Sequence, residues 1–144
     1  MNKVSQILRA KSDRVWTVQK DATVLEALQV MAEKQTGSVV VMDGDRLAGI
    51  FTERDFARKV GLFEKKPSTV KVSEVMTGEL VTVSLGDSVN QCMEHMTDKR
   101  IRHLPVIEEG RLAGIVSIGD VVKDIIDELQ FMVKQLENYI TGFR

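Results

Sequence analysis

Apolar residues recur along this chain at two spacings, one helical and one strand-like, and they alternate in a fixed order. Val4, Ile7 and Leu8 share one helical face, which predicts a short helix over 3–10. Residues 15–18, Val-Trp-Thr-Val, are β-prone and predict a short strand or extended segment. Asp21-Ala22-Thr23 supplies a helix start, and Val24, Ala27, Leu28 and Met31 follow at helical spacing. That helix is expected to reach Lys34 or Gln35, with Gly37 ending it. Residues 38–42 are an unbroken apolar run, as in a strand covered on both faces. Asp43-Gly44-Asp45 reads as a hairpin turn, 47–51 as the returning strand, and Thr52 as the cap of a helix over about 53–60.

The pattern breaks at Gly61 and Lys65-Lys66-Pro67-Ser68, so 62–71 reads as a linker. A short helical turn over 72–76 follows, and then the same series returns. Residues 80–83 are extended, and Val89, Cys92, Met93 and Met96 mark a helix face. Residues 103–107 and 112–116 are strands joined at Glu109-Gly110. The register is an offset of 65 residues, without a gap from Thr17 against Thr82, and its longest identity is Arg-Leu-Ala-Gly-Ile at 46–50 and 111–115. Agreement in residue class and in order argues duplication. The expected organisation is an N-terminal helix and first repeat over 1–61, the linker, a second repeat over 72–127, and a helical extension over 128–144. The expected class is α/β (α+β), with two tandem β-α-β-β-α units and a long C-terminal helix.

That last helix departs from its counterpart. It starts after Ser117, and Val121, Val122, Ile125, Leu129, Met132, Val133, Leu136 and Ile140 keep helical spacing toward the end of the chain. About 23 residues at roughly 1.5 Å each make a rod of roughly 34 Å. A stripe that outruns its own unit needs a cover. Folding back across the first repeat would serve, but a second copy of the chain is the expected cover, hence a homodimer.

Composition narrows the picture. With 144 residues, 43% of them hydrophobic and 28% charged, the chain suits one ordinary domain or two small halves sharing a core. At this size roughly 68–70% of the unfolded surface is buried, so no staples are needed. A net charge of −1 without a basic tail argues against nucleic acid. A lone cysteine, Cys92, cannot form an internal disulfide and is expected to be a buried, inert thiol. No apolar run is long enough for a membrane span and no signal peptide is visible, so a cytoplasmic protein is expected.

Candidate chemistry gathers at the repeated phrase. Residues 46–55 read Arg-Leu-Ala-Gly-Ile-Phe-Thr-Glu-Arg-Asp, and 111–120 read Arg-Leu-Ala-Gly-Ile-Val-Ser-Ile-Gly-Asp. Thr52-x-x-Asp55 and Ser117-x-x-Asp120 each fit a capping box, and a helix start needs nothing more. Three features point further. Gly49 and Gly114 lie inside strands, where glycine weakens pairing unless something must approach closely. A helix N-terminus offers unpaired N–H groups and a positive dipole end, which suit a phosphate. Arg54 lies in the first phrase and Arg102-His103 precede the second strand pair. A hydroxyl can donate to phosphate oxygens, and a carboxylate can accept from two vicinal ribose hydroxyls.

A β-α-β-β-α unit ending in Gly-h-h-Thr/Ser-x-x-Asp, present twice, resembles a CBS domain pair, the tandem modules named after cystathionine β-synthase. The likeness spans about 12–130, and the N-terminal stretch and the 131–142 tail resemble stand-alone bacterial CBS-pair proteins. The resemblance implies two clefts between repeats related by pseudo-two-fold symmetry. It implies an adenine nucleotide as ligand, AMP foremost, with ADP, ATP, NAD, NADH or S-adenosylmethionine as others. It also implies flat dimers of four repeats.

Carried over residue by residue, it puts Thr52 on phosphate, Asp55 on the ribose hydroxyls and Arg54 near the phosphates of a first cleft. Ile101, Arg102 and His103 would line its base, with Asp87 and Cys92 behind. In a second cleft Ser117 and Asp120 take the phosphate and ribose roles, with Arg102 and His103 on the phosphate side. Ala22, Ala27 and Thr36, Gly37 and Ser38 would line its base. Arg54 corresponds to Gly119, and Arg102-His103 to Gly37-Ser38, so the two clefts are expected to differ in affinity.

Other chemistry is thin. His95 and His103 lack partners at metal-ligand spacing. No Ser-His-Asp order, Gly-x-Gly-x-x-Gly or P-loop pattern is present. The expected function is a regulatory sensor of adenine nucleotides without catalysis, acting through the angle between repeats or the dimer geometry, on a regulated protein that the sequence does not name. The alternatives are a structural dimerisation module whose motifs only cap helices, and a nucleotide-processing enzyme.

Overall fold

Pairing of the two apolar strand runs organises each half. The computed structural model describes residues 2–11 and 15–142. In the first half β1 (Thr17–Gln19) runs parallel to β2 (Ser38–Asp43), which pairs antiparallel with β3 (Arg46–Thr52). In the second half β4 (His103–Glu108) and β5 (Arg111–Ser117) make the matching hairpin. The third strand shrinks there to one parallel bridge, Val83 with Val106, at the register of Val18 with Val41. Both hairpins carry an irregularity at the same step, Val41/Met42 and Val106/Ile107. Duplication therefore extends to register, not only to residue class.

Helices enter and leave these sheets where the polar punctuation predicts. α2 (Val24–Lys34) starts at Thr23, whose hydroxyl accepts from Glu26 N–H at 3.1 Å. α5 (Val89–Lys99) starts at Ser88, which accepts from Gln91 N–H at 3.1 Å, while Gln91 Oε1 accepts from Ser88 N–H at 2.7 Å. Both helices end on a left-handed residue, Gln35 and Arg100, each at φ 54°. α2 thus ends at Lys34, within the expected bounds, but the residue that stops it is Gln35 rather than Gly37.

Three other segments depart from expectation. The first strand lies at Thr17–Gln19 rather than 15–18, although Trp16 C=O still accepts from Val40 N–H at 3.0 Å. After β3 the helix α3 is only Glu53–Phe56 and continues as a π-helical turn over Ala57–Gly61, with Leu62 N–H donating to Ala57 C=O at 3.1 Å. The stretch read as a linker contains a 3-10 turn, Pro67–Thr69, and then buries Val70, whose C=O accepts from Val24 N–H at 2.8 Å.

Each half completes its core with a helix from outside its own repeat. α1 (Val4–Ala10) places Val4, Ile7 and Leu8 among Val83, Val89, Cys92, Met96, Leu104, Val106, Val116 and Val121 of the second half. α4 (Val72–Val75) places Val72 and Val75 among Val24, Ala27, Met31, Val39, Val41 and Phe51 of the first. The two helices have matching sequences, Lys3-Val4-Ser5-Gln6-Ile7-Leu8 and Lys71-Val72-Ser73-Glu74-Val75-Met76. The strand glycines receive them. A Cβ on Gly49 would lie 2.7 Å from both Met76 Sδ and Thr77 O, and one on Gly114 would lie 2.8 Å from Leu8 Cδ1 and Cδ2. The close approach that these glycines permit comes from the chain's own exchanged segments, not from a ligand.

The final helix, α6, is continuous over Ile118–Ile140. Val121 is buried in the second core, but every described residue from Leu129 on is exposed. Among the described residues no helix is long and apolar enough to cross a membrane.

Candidate functional site

The two hairpins set the Thr/Ser-x-x-Asp phrases at the ends of β3 and β5, and both phrases do cap their helices. Thr52 Oγ1 accepts from Asp55 N–H at 3.1 Å and Asp55 Oδ2 accepts from Thr52 N–H at 3.0 Å. Ser117 Oγ accepts from Asp120 N–H at 3.1 Å and Asp120 Oδ2 accepts from Ser117 N–H at 2.9 Å. The resemblance to capping boxes is therefore literal.

Around the first phrase lies the larger of two clefts, about 760 Å³. Its walls come from both repeats: Thr52, Glu53, Arg54 and Asp55 from one side, and Lys99, Arg100, Ile101, Arg102 and His103 from the other. Arg54 reaches across, with Nη1 donating to Arg100 C=O at 3.0 Å, a carbonyl left over at the C-terminus of α5. Asp55 is buried at 6% exposure and fully engaged. Its Oδ1 accepts from Thr77 Oγ1 at 3.0 Å and faces Lys59 Nζ at 3.2 Å, and its Oδ2 also accepts from Thr52 Oγ1 at 3.2 Å. Of the predicted residues this cleft gathers Gly37, Thr52, Arg54, Asp55, Ile101, Arg102 and His103, and adds Lys99 and Arg100. Four arginines and lysines against three carboxylates (Glu53, Asp55 and Glu79) leave it biased toward anions.

A smaller cleft, about 290 Å³, is lined by Lys11, Val15, Trp16, Thr36, Ser38, Val40 and Ile115. It is the pseudo-symmetric partner of the first: Val15, Trp16, Thr36, Ser38 and Ile115 stand at the repeat offset from Leu80, Val81, Ile101, His103 and Ile50 of the larger cleft. Ser117 and Asp120, expected in its wall, do not line it; Asp120 lies behind Lys11, whose ammonium is 2.6 Å from Asp120 Oδ2. Lys11 is a charged cleft-lining side chain that sequence reading missed. Only alignment of the two exchanged helices would have flagged it, as the counterpart of Glu79.

Several expected wall residues sit elsewhere. Asp87 holds α1: its C=O accepts from Val4 N–H at 2.9 Å and its Oδ2 from Ser84 N–H at 2.9 Å. Ala22 holds α4 in the matching way, its C=O accepting from Val72 N–H at 2.8 Å. Ala27 and Cys92 are fully buried core residues. Gly37 lines the larger cleft rather than the smaller, because its C=O accepts from Glu53 N–H at 3.1 Å and so faces α3. Arg102 and His103 likewise line the larger cleft.

Burial and charge set the ionisation of two groups. His103 is held below the usual imidazole value of 6.5, first by burial, then by Lys11; Asp120 opposes, Arg102 adds, and Glu53 opposes. It lines the larger cleft as a neutral ring at neutral pH. Burial, helped by the charge of Asp87, pushes the Cys92 thiol up to about 11, so it is no nucleophile. Among the described residues no group of three His, Cys, Asp or Glu side chains converges as a metal site would.

A model of the CBS domain matches residues 4–61 and 72–127. The chain belongs to the CBS-domain family. As a CBS pair it is similar to a protein with CBS domains from Burkholderia ambifaria MC40-6, named for signal transduction. The two share 45% identity at a TM-score of 0.85, over 88% of this chain and 95% of that one. It is 37% identical to the mitochondrial CBS domain-containing protein CBSX3 of Arabidopsis thaliana, over 96% of this chain and 72% of the relative. A hexameric CBS-CP12 protein from bloom-forming cyanobacteria shares 31% identity at a TM-score of 0.74, over 84% of this chain and 70% of that one. CBS pairs are in general regulatory, ligand-binding modules.

Proposed function

We propose that this CBS pair is a non-catalytic sensor of adenine nucleotides, and that the larger cleft is its main site. The observation that carries the reading is that cleft's composition. It brings the Thr52 hydroxyl and the Asp55 carboxylate of one repeat within a single cavity with Arg102 and His103 of the other. A volume of about 760 Å³ falls inside the range of about 300–1,000 Å³ usual for small-molecule sites. Arg54, Arg100 and Arg102 supply charge for phosphates, Asp55 accepts from the ribose hydroxyls in exchange for its contacts with Thr77 and Lys59, and Ile101 with Val81 forms an apolar wall for the base. AMP is the favoured ligand, with ADP, ATP, NAD, NADH and S-adenosylmethionine as the others to try.

A ligand that touches both repeats acts as a regulator only if it binds one mutual arrangement better than another. The proposed output is a change in the angle between repeats or in the geometry of a homodimer, read by a regulated protein. The exposed stripe of α6 supports a second copy of the chain as the cover. Leu129, Met132, Val133, Leu136 and Ile140 are each more than half exposed and lie along one face. A cytoplasmic setting fits a buried, unpaired Cys92.

The capping boxes favour one rival, a dimerisation module that binds nothing, because a cap alone accounts for both phrases. A thermal-shift series with the six ligands separates the two readings. Binding at a hundredfold excess over Kd adds about 2.7 kcal/mol, or a rise on the order of 5–10 °C in Tm. Flat melting curves with all six would leave only the structural reading.

A further inference from the structure

The smaller cleft already contains a cation of the chain itself. Lys11 closes α1, and its Nζ lies 2.6 Å from Asp120 Oδ2 and donates to Ile115 C=O at 3.0 Å. The two side chains are 28% and 21% exposed, so the pair is shielded from most solvent. The helix that delivers Lys11 is anchored on the second repeat. Leu8 packs against Gly114, Val4 N–H donates to Asp87 C=O at 2.9 Å, and Asn2 Nδ2 donates to both carboxylate oxygens of Asp124 at 2.9 and 3.1 Å. Asp55 also has a lysine partner, Lys59 at 3.2 Å, but that lysine does not line the larger cleft, whereas Lys11 lines the smaller one. Aligning Lys3-Val4-Ser5 with Lys71-Val72-Ser73 puts Glu79 opposite Lys11, and the lysine beside Asp55 is Lys59, from the turn that follows α3.

We infer that Lys11 occupies the ribose position of the smaller cleft and so limits the chain to one nucleotide, held in the larger cleft. The inference rests on the reading that Asp55 and Asp120 are the carboxylates a ribose diol would meet. A diol entering the smaller cleft must displace an ammonium that is already paired. It would exchange a contact charged on both sides for hydrogen bonds charged on the carboxylate side alone. The cleft is also near the lower limit of size for a small-molecule site, at about 290 Å³. Lys11 thus makes two clefts of common descent unequal by a contact that lies outside the repeated phrase.

Titration calorimetry with AMP, carried to millimolar concentration, tests this on four intact chains. The wild type should take one equivalent. Lys11→Met, which keeps the stem and removes the charge, should take two. Lys11→Gln should also take two, and serves if the Met variant melts early. Lys11→Met combined with Asp120→Ala should return to one. Two equivalents in the wild type, unchanged by either single substitution, would overturn the Lys11 inference and leave the nucleotide reading intact. One equivalent in all four chains would overturn it equally. No heat in any chain would instead remove the nucleotide reading on which it rests.

Discussion

His103 lines the larger cleft yet feels the charge of Lys11 in the smaller one, and its ionisation gives a prediction with a definite sign. Its folded value lies below 6.5, so between that value and about 6.5 the unfolded chain binds more protons than the folded one. Stability must therefore rise with pH across that window and level off above it; read downward, it is lost as pH falls below about 6.5. Melting temperature should drop between about pH 7 and 5.5 in the wild type, and drop less in His103→Gln. Parallel curves for the two chains would show that the ring is not held neutral by its surroundings. At this scale the sequence was legible where roles are local. Thr52, Asp55, Ser117 and Asp120 cap their helices as their spacing requires. It was not legible for Lys11, whose partner is 109 positions away. Nor was it for Asp87 and Ala22, whose backbone groups serve the exchanged helices.

Helical and strand periodicity located the elements well, because period records which face is apolar. It does not record what that face meets. Val4, Ile7 and Leu8 read as leading into the first repeat, yet they complete the second, and Val72 and Val75 do the converse. The strand glycines make this exchange testable. A methyl at Gly49 meets the backbone oxygen of Thr77 as well as Met76, whereas at Gly114 it meets only the ends of the Leu8 side chain. Both changes overpack a core and should cost about 1–3 kcal/mol, with Gly49→Ala at the upper end. Denaturant melts showing Gly114→Ala as the more damaging change would contradict this packing. The α6 stripe gives the other prediction at this scale. Glutamate at both Leu129 and Leu136, two exposed positions, should leave the fold intact and convert the chain to a monomer by light scattering. If the wild type is already monomeric at high micromolar concentration, no second copy covers the stripe.

At the scale of the whole molecule, two halves of one ancestry are tied together by swapped helices and open toward each other in two clefts. The backbone phrase is kept in both copies while the side chains around it diverge. The larger cleft carries Arg54, Arg100, Arg102 and His103, where the repeat offset gives Gly119, Gln35, Gly37 and Ser38. The resemblance carried by the doubled phrase implied both clefts and the offset charges implied that they differ, but the contact of Lys11 with Asp120 is made only by folding. A nucleotide in the larger cleft would touch both repeats at once, as a sensor of this design requires. Calorimetric titration of AMP into Asp55→Ala and Asp120→Ala chains, each checked for a native melting transition, tests that most directly. Asp55→Ala should lose the binding seen in the wild type and Asp120→Ala should retain it; an Asp55→Ala chain that titrates like the wild type would contradict the account.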